Sequence, residues 1–155
     1  MFKFLTILLF FLSTNLYGAG TTSEDSNNTD ASNEVSILYE RAEKYIDEKN
    51  FNKSLLVLKN LTKREDLYGL RSDIYNLLGF SYRKLENPEL EKSFSAYMMA
   101  IEIDPDHIGA HEYLGELYLM MGDKSKAEKM LIKLELLVGK NAKEYLDLKK
   151  AILNF

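Results

Sequence analysis

The chain has 155 residues, 46% of them hydrophobic, and a formal net charge of -4. That length and apolar content suit one domain with a buried core. Cysteine is absent, which excludes disulfides, thiolate nucleophiles and cysteine-held metal clusters. The mild acidity, with basic clusters that look short and interleaved with acids, argues against nucleic acid as a partner.

The first residues have the pattern of a secretory signal. Lys3 precedes an almost entirely apolar run over 4–12, and Gly18 and Gly20 supply small side chains for a cleavage site. The apolar run is shorter than the roughly 20 residues of a membrane-spanning helix. We therefore expect residues 1–20 to be a cleaved signal peptide, with retention as an anchor as the alternative. The expected location is the periplasm or the outside of the cell, with no stable membrane span after cleavage.

A polar segment follows the signal. Residues 21–33 contain no aromatic side chain and are rich in Ser, Thr and Asn. Such a composition buries too little apolar surface to offset the entropy lost on ordering. The segment is predicted to be a disordered linker to a folded domain over 34–155.

The first helical hairpin is expected over about 35–68. Apolar residues recur at helical spacing from Val35 and Leu38 onward, and a second apolar run begins at Phe51. Asn52 is a candidate N-cap for that second helix, because a side-chain oxygen can accept from a free amide of the first turn.

The next two hairpins carry start and stop signals. In the second, over about 72–107, Asn87-Pro88 suits a helix start and Asp104-Pro105 a helix stop. In the third, over about 108–141, Gly122-Asp123 suits the end of one helix and the cap of the next.

A last helix is expected over about 142–155. Tyr145, Leu148 and Ile152 fall on one helical face there. A solenoid leaves its final hairpin with an uncovered apolar side. This helix is therefore predicted to cap the solenoid.

The strongest signal is an internal repeat. Leu78-Gly79-x-x-Tyr82 recurs as Leu114-Gly115-x-x-Tyr118. Internal periods of roughly 34 residues indicate a solenoid of helical hairpins, in which each unit buries its apolar face against its neighbours. The predicted fold is all-α: a right-handed superhelical solenoid of helix-turn-helix hairpins with a C-terminal capping helix.

These motifs resemble the tetratricopeptide repeat, which has Leu-Gly in its first helix, an aromatic residue three positions later, a small residue in its second helix and a proline at the exit. Ala100 and Pro105 extend the match in the second unit, and Ala127 in the third. The chain also resembles small exported tetratricopeptide proteins of bacteria. The resemblance implies a non-enzymatic scaffold of the cell envelope that binds a protein or peptide and uses no cofactor.

In tetratricopeptide repeats the first helix of each hairpin lines a concave groove. Carried onto this chain, the resemblance implies a groove that binds an extended peptide or a partner helix. The glutamates in that set favour a partner with a basic segment. For the apolar members Phe80 and Leu119, packing between helices is the alternative. The groove positions are Tyr39, Glu43, Asn76, Phe80, Arg83, Glu112, Glu116, Leu119 and Met120.

Two other functions remain open at this point. His107 and His111 share a helical face and could hold a metal ion, which would make the chain an envelope metal-binding or enzyme-accessory protein. The pair lacks an assured third ligand, so we expect no metal site. Self-association through the convex side or the last helix is the other alternative. No phosphate-binding loop or nucleophile elbow occurs, and no catalytic residues are predicted.

Overall fold

The structure is a computed structural model that describes residues 24–67 and 69–155, with backbone alone for 24–31. These residues form helices and no strand, which confirms the all-α fold class. The helices are α1 (Glu24–Asp47), α2 (Phe51–Leu61), α3 (Arg71–Arg83), α4 (Leu90–Ile103), α5 (Ile108–Met120), α6 (Lys124–Val138) and α7 (Lys143–Leu153).

The structure describes only part of the N-terminal region for which a signal peptide and a linker are predicted. The predicted signal peptide lies outside the described residues. Residues 24–33 of the segment predicted to be disordered belong to α1, which begins at Glu24, and residues 21–23 lie outside the described residues. Once Val35 and Ala42 are anchored in the core, extending a helix adds one hydrogen bond for each residue fixed and needs no new nucleus. Among the described residues, no helix has both the length and the apolar content that a membrane span requires.

The turns between helices follow local chemistry. Gly122 adopts a left-handed conformation with φ 81°, and Asp123 Oδ1 accepts from the Lys126 amide at 3.0 Å, as its motif predicts. The Asn52 prediction is wrong: α2 begins at Phe51, and the cap is Asn50, whose Oδ1 accepts from the Lys53 amide at 3.3 Å.

Two buried clusters fill the solenoid. The first includes Leu58 and Ile74, and the second includes Tyr97, Leu117 and Leu148. Each hairpin pairs an odd-numbered with an even-numbered helix, and every even-numbered helix also packs against the odd-numbered helix that follows it. The core therefore runs between the two layers of helices.

The two layers are packed unequally. The odd-numbered helices contact one another in sequence, α1 with α3, α3 with α5 and α5 with α7. Within the part of the chain that the structure describes, α2, α4 and α6 make no contact with one another. Because the odd-numbered layer is the closer-packed one, the solenoid curves toward it, and we call its solvent side the inner face.

Glycine lets the helices approach closely at two repeat positions. A Cβ at Gly79 would lie 2.7 Å from the Tyr97 ring, and a Cβ at Gly115 would lie 2.5 Å from Leu148 Cδ2. Real side chains do not approach one another this closely, so larger residues would push α4 and α7 outward. The repeated Leu-Gly motif thus marks points at which a neighbouring helix packs closely on α3 and α5.

We expect Gly115→Ala to lower the free energy of unfolding by about 1–3 kcal/mol, because the added methyl group overlaps Leu148 in a packed core. In an open helix the same change normally stabilises, because alanine is the better helix former. Denaturant unfolding measures the difference. A variant more stable than the parent chain would contradict the packing of α7 on Gly115.

Candidate functional site

Helices α3 and α5 meet in register along the inner face. His107 Nδ1 accepts from the Ala110 amide at 3.1 Å and so caps α5. Its Nε2 then carries the proton and donates to Asp73 Oδ1 at 3.1 Å. One turn further, the Asn76 amide lies against Gly109, where a Cβ would come within 3.1 Å of Asn76 Nδ2. Asp73 and His107 are 34 residues apart in the sequence, which is about one repeat.

Two further contacts continue this series. The rings of Phe80 and Tyr113 have centroids 5.1 Å apart. At the end of α3, Arg83 donates from Nη1 to Glu116 Oε2, across 33 residues of sequence. The guanidinium lies 5.5 Å from the Phe80 ring centroid and 5.4 Å from that of Tyr113. Aromatic rings and an ion pair thus join α3 to α5.

Arg83 is almost completely buried, with 5% of its surface exposed. Burial alone would lower the pKa of Arg83, but electrostatic interactions with Tyr97 and Glu116 outweigh it and raise the pKa. The residue therefore stays charged. An arginine buried in this way needs its carboxylate, because removing one partner leaves the other charge uncompensated.

Several buried polar atoms on this face have no hydrogen-bond partner among the described residues. They are Nε and Nη2 of Arg83 and Oδ1 of Asn76. The Tyr97 hydroxyl is near enough to influence Arg83 electrostatically but lacks hydrogen-bond geometry to it. Buried polar groups are normally paired. Their burial without a partner lowers the stability of this part of the fold.

Among the acids of the inner face, Glu112 has the pKa that is raised furthest from its ordinary value. It is 5% exposed, and within the described residues no hydrogen bond reaches its carboxylate. Burial, and then repulsion from Glu116, raise the pKa of Glu112 to about 7, while Lys143 of α7 opposes the shift. The carboxyl group is therefore poised between neutral and charged near physiological pH.

Helix α1 contributes a tyrosine and an acid. Tyr39 is half-buried, and burial together with the negative charges of Glu43 and Asp73 raises its pKa. Glu43 is exposed, and partial burial of its carboxylate is the main cause of its raised pKa. Helix α1 contacts α3, so the charge of Asp73 also contributes to the raised pKa of both side chains.

The two remaining predicted positions, Leu119 and Met120, differ in burial. Leu119 is 8% exposed and belongs to the core cluster that also holds Leu148, so it packs between helices, as the alternative interpretation expected. Met120 is 48% exposed. Sequence reasoning missed Asp73 and Tyr113, although their separation of about one repeat from His107 and Phe80 was the signal that could have found them.

The two histidines do not converge on a metal position. His111 Nε2 lies 2.8 Å from the Pro105 carbonyl oxygen and donates to it. Burial lowers the pKa of His111, which favours the neutral ring. Among the described residues, no three His, Asp or Glu side chains are grouped to hold a metal ion. The histidines instead secure the start of α5.

The inner face is a broad surface and not a closed pocket. A depression of about 380 Å³ lies elsewhere, between α3 and α4, and is lined by residues such as Leu78, Tyr82 and Met99. On α3, these positions lie opposite Asn76 and Phe80, so the depression is separate from the inner face.

A curved stack of helical hairpins with a polar and aromatic inner face defines a helical-repeat fold. The tetratricopeptide repeat family model matches residues 96–129, from the end of α4 through α5 into α6. The solved structures below have the same fold. The chain therefore contains a tetratricopeptide repeat at residues 96–129 and has the fold of tetratricopeptide repeat domains.

Three solved structures illustrate this fold. The first tetratricopeptide domain of Spaghetti (RPAP3), bound to the HSP90 peptide SRMEEVD, has a TM-score of 0.66 and 15% identity over 79% of this chain and 94% of that one. The type III secretion chaperone SycD of Yersinia enterocolitica, in complex with a peptide of the translocator YopD, has a TM-score of 0.62 and 17% identity over 87% and 92%. The Arabidopsis OM64 tetratricopeptide domain has a TM-score of 0.66 and 17% identity over 82% and 98%.

A curated relative shares part of the sequence. The human protein O-mannosyl-transferase TMTC2 is 31% identical over 100 residues, which cover 64% of this chain. The match spans 12% of the length of that relative.

We expect Glu112→Gln to change how stability depends on pH. Because the folded-state pKa lies above the ordinary value of 4.5, the folded chain holds the proton more tightly than the unfolded chain, and stability falls as pH rises from about 4.5 through about 7. Glutamine removes this loss. Between pH 5 and pH 8, the free energy of unfolding of the variant should exceed that of the parent by roughly 1–3 kcal/mol.

Denaturant unfolding at several pH values measures this gain. Glu102→Gln, at an exposed position on α4, is the matched control. If the parent and Glu112→Gln curves run parallel across this range, Glu112 is not the titrating group.

Proposed function

We propose that the protein is a non-enzymatic interaction scaffold that binds an extended peptide or a helix of a partner protein along its inner face. The observation that carries the proposal is the row of in-register contacts between α3 and α5. They hold two aromatic rings, Phe80 and Tyr113, beside buried polar atoms of Asn76 and Arg83 that lack partners. The accessible parts of the two rings supply affinity, and the charges around them fix the register of a bound segment.

The charges on the inner face favour a basic segment in the partner. Arg83 is neutralised by Glu116. Glu43 forms no ion pair among the described residues, and neither does Glu112, whereas Asp73 accepts a hydrogen bond from the His107 ring. A lysine or arginine of the partner would pair with these acids. It would also stabilise the charged form of Glu112, because a nearby cation lowers the pKa of a carboxyl group.

The structural neighbours support a peptide as the ligand. The RPAP3 domain holds an HSP90 peptide and SycD holds a YopD peptide. These proteins resemble this chain in fold only. The chemistry of its own partner is therefore inferred from its inner face and not from their peptides.

We also propose that the scaffold acts in the cell envelope of a bacterium, after export and cleavage of residues 1–20. The support is the basic start, short apolar run and small residues of that segment. N-terminal sequencing of protein recovered from the envelope fraction would test this, and an intact Met1 in a cytoplasmic fraction would overturn it.

The inner face can be tested with a fluorescein-labelled peptide that carries lysine and leucine at helical spacing. We expect Glu43→Lys to weaken binding by about fivefold to tenfold, because an attraction becomes a repulsion. Glu43 is preferred to Glu112 and Glu116, since these two are buried or ion-paired and their reversal would disturb the fold. Fluorescence anisotropy gives the dissociation constants.

The matched control is Glu128→Lys, which makes the same charge change at an exposed position on α6. Equal weakening by both variants would mean that net charge, and not the inner face, governs binding. A peptide that binds neither the parent nor the control would refute the inner face as a site for basic segments.

A further inference from the structure

A cleft on the other side of the first hairpin has a different chemistry. It has a volume of about 460 Å³ and lies between α1 and α2. Leu38 and Arg41, which contribute the α1 side, lie on a different face of that helix from Tyr39 and Glu43. We call it the outer cleft, and its lining residues are Leu38, Arg41, Leu56, Val57, Lys59, Asn60 and Lys63.

The outer cleft is lined by three cations and no acid. This follows from an uneven sequence: residues 49–64 contain five Lys and Arg and no Asp or Glu, in a chain of net charge -4. The expectation that basic residues are interleaved with acids is therefore wrong for this hairpin. The cations belong to α2 and the turn after it, and Arg41 of α1 joins them.

These cations lack carboxylate partners inside the protein. Among the described residues, neither Arg41 nor Lys63 forms an ion pair, and Lys59 contacts only the Tyr82 ring, 5.2 Å from its centroid. By contrast, the neighbouring Arg64 bonds to both Glu34 and Asp66. The positive charge of the outer cleft is thus left for solvent or for a partner.

Apolar side chains lie among these charges. Leu56 is 73% exposed at the centre of the outward face of α2, while Leu38 and Val57 are partly buried beneath the cleft. A large exposed apolar side chain inside a ring of like charges is typical of a docking surface, where the apolar centre gives affinity and the charged rim gives specificity.

We propose that the outer cleft is a second docking site, which takes an acidic amphipathic segment of another protein. Apolar side chains of that segment enter between Leu38, Leu56 and Val57. Its carboxylates pair with Arg41, Lys59 and Lys63. Leu38 and Val57 lie recessed and can receive side chains of a protein segment, whereas a membrane surface would meet only the protruding Leu56.

The two sites carry opposite charge preferences. The inner face offers acids to a basic segment, and the outer cleft offers cations to an acidic one. They lie on different faces of α1, so both can be occupied at once. A chain with both sites would link two partners, as an adaptor does. The two proposals are independent, so an experiment can refute one site and leave the other standing.

The test uses a fluorescein-labelled helical peptide of about four turns that carries leucine on one face and glutamate elsewhere. We expect the double variant Arg41→Glu, Lys63→Glu of the full chain to bind it at least about tenfold more weakly, because two attractions become repulsions. Lys129→Glu, Lys150→Glu makes the same charge change at exposed positions on α6 and α7 and should bind like the parent.

A second pair of variants tests the apolar centre. Leu56→Ser should weaken binding about threefold to tenfold through lost apolar contact, whereas Leu136→Ser, at a leucine 78% exposed on α6, should not. The proposal is overturned if the acidic peptide does not bind the parent, or if both charge variants weaken it equally. It is also overturned if vesicles of phosphatidylglycerol bind the parent while the peptide does not.

Discussion

The direct contact between neighbouring odd-numbered helices is the constraint on which the rest of the structure depends. α1, α3, α5 and α7 touch in sequence, while the described even-numbered helices do not touch one another. This inequality gives the stack its curvature and places one side chain from every turn of α3 and α5 on a common face. Gly115 makes the contact between α5 and α7 possible, because it lets Leu148 approach the α5 backbone, while Gly79 lets Tyr97 of α4 pack equally closely on α3.

The close approach has an electrostatic consequence. It buries Arg83, Asn76 and Glu112 to 8% exposure or less, although only Arg83 has a charged partner within reach. Unpaired buried polar groups reduce stability. The inner face therefore contributes less to the free energy of folding than an apolar surface of the same area would.

Local patterns in the sequence predicted the elements, and repeat spacing predicted their stacking. Asp104-Pro105 and Gly122-Asp123 end helices where expected, because their conformations are set by the residues themselves. The Asn52 cap was misplaced by two residues, because Asn50 offers the same chemistry and the geometry of the turn decides between them. Contacts between repeats, such as Phe80 with Tyr113, and the burial of Leu119 depend on how helices are placed, which periodicity within one helix does not specify. The outer cleft was missed for the same reason, since Arg41 comes from a different helix than the lysines it joins.

The most direct test of the account is an amide NMR titration of the chain with the lysine and leucine peptide. Binding along the inner face should shift the resonances of Glu43, Asn76, Phe80 and Glu116, on three different helices, with one common dissociation constant. Resonances of exposed residues on α6 should stay in place. Shifts confined to α2, α4 and α6, with the inner positions unmoved, would contradict the claim that close packing of the odd-numbered helices builds the binding surface.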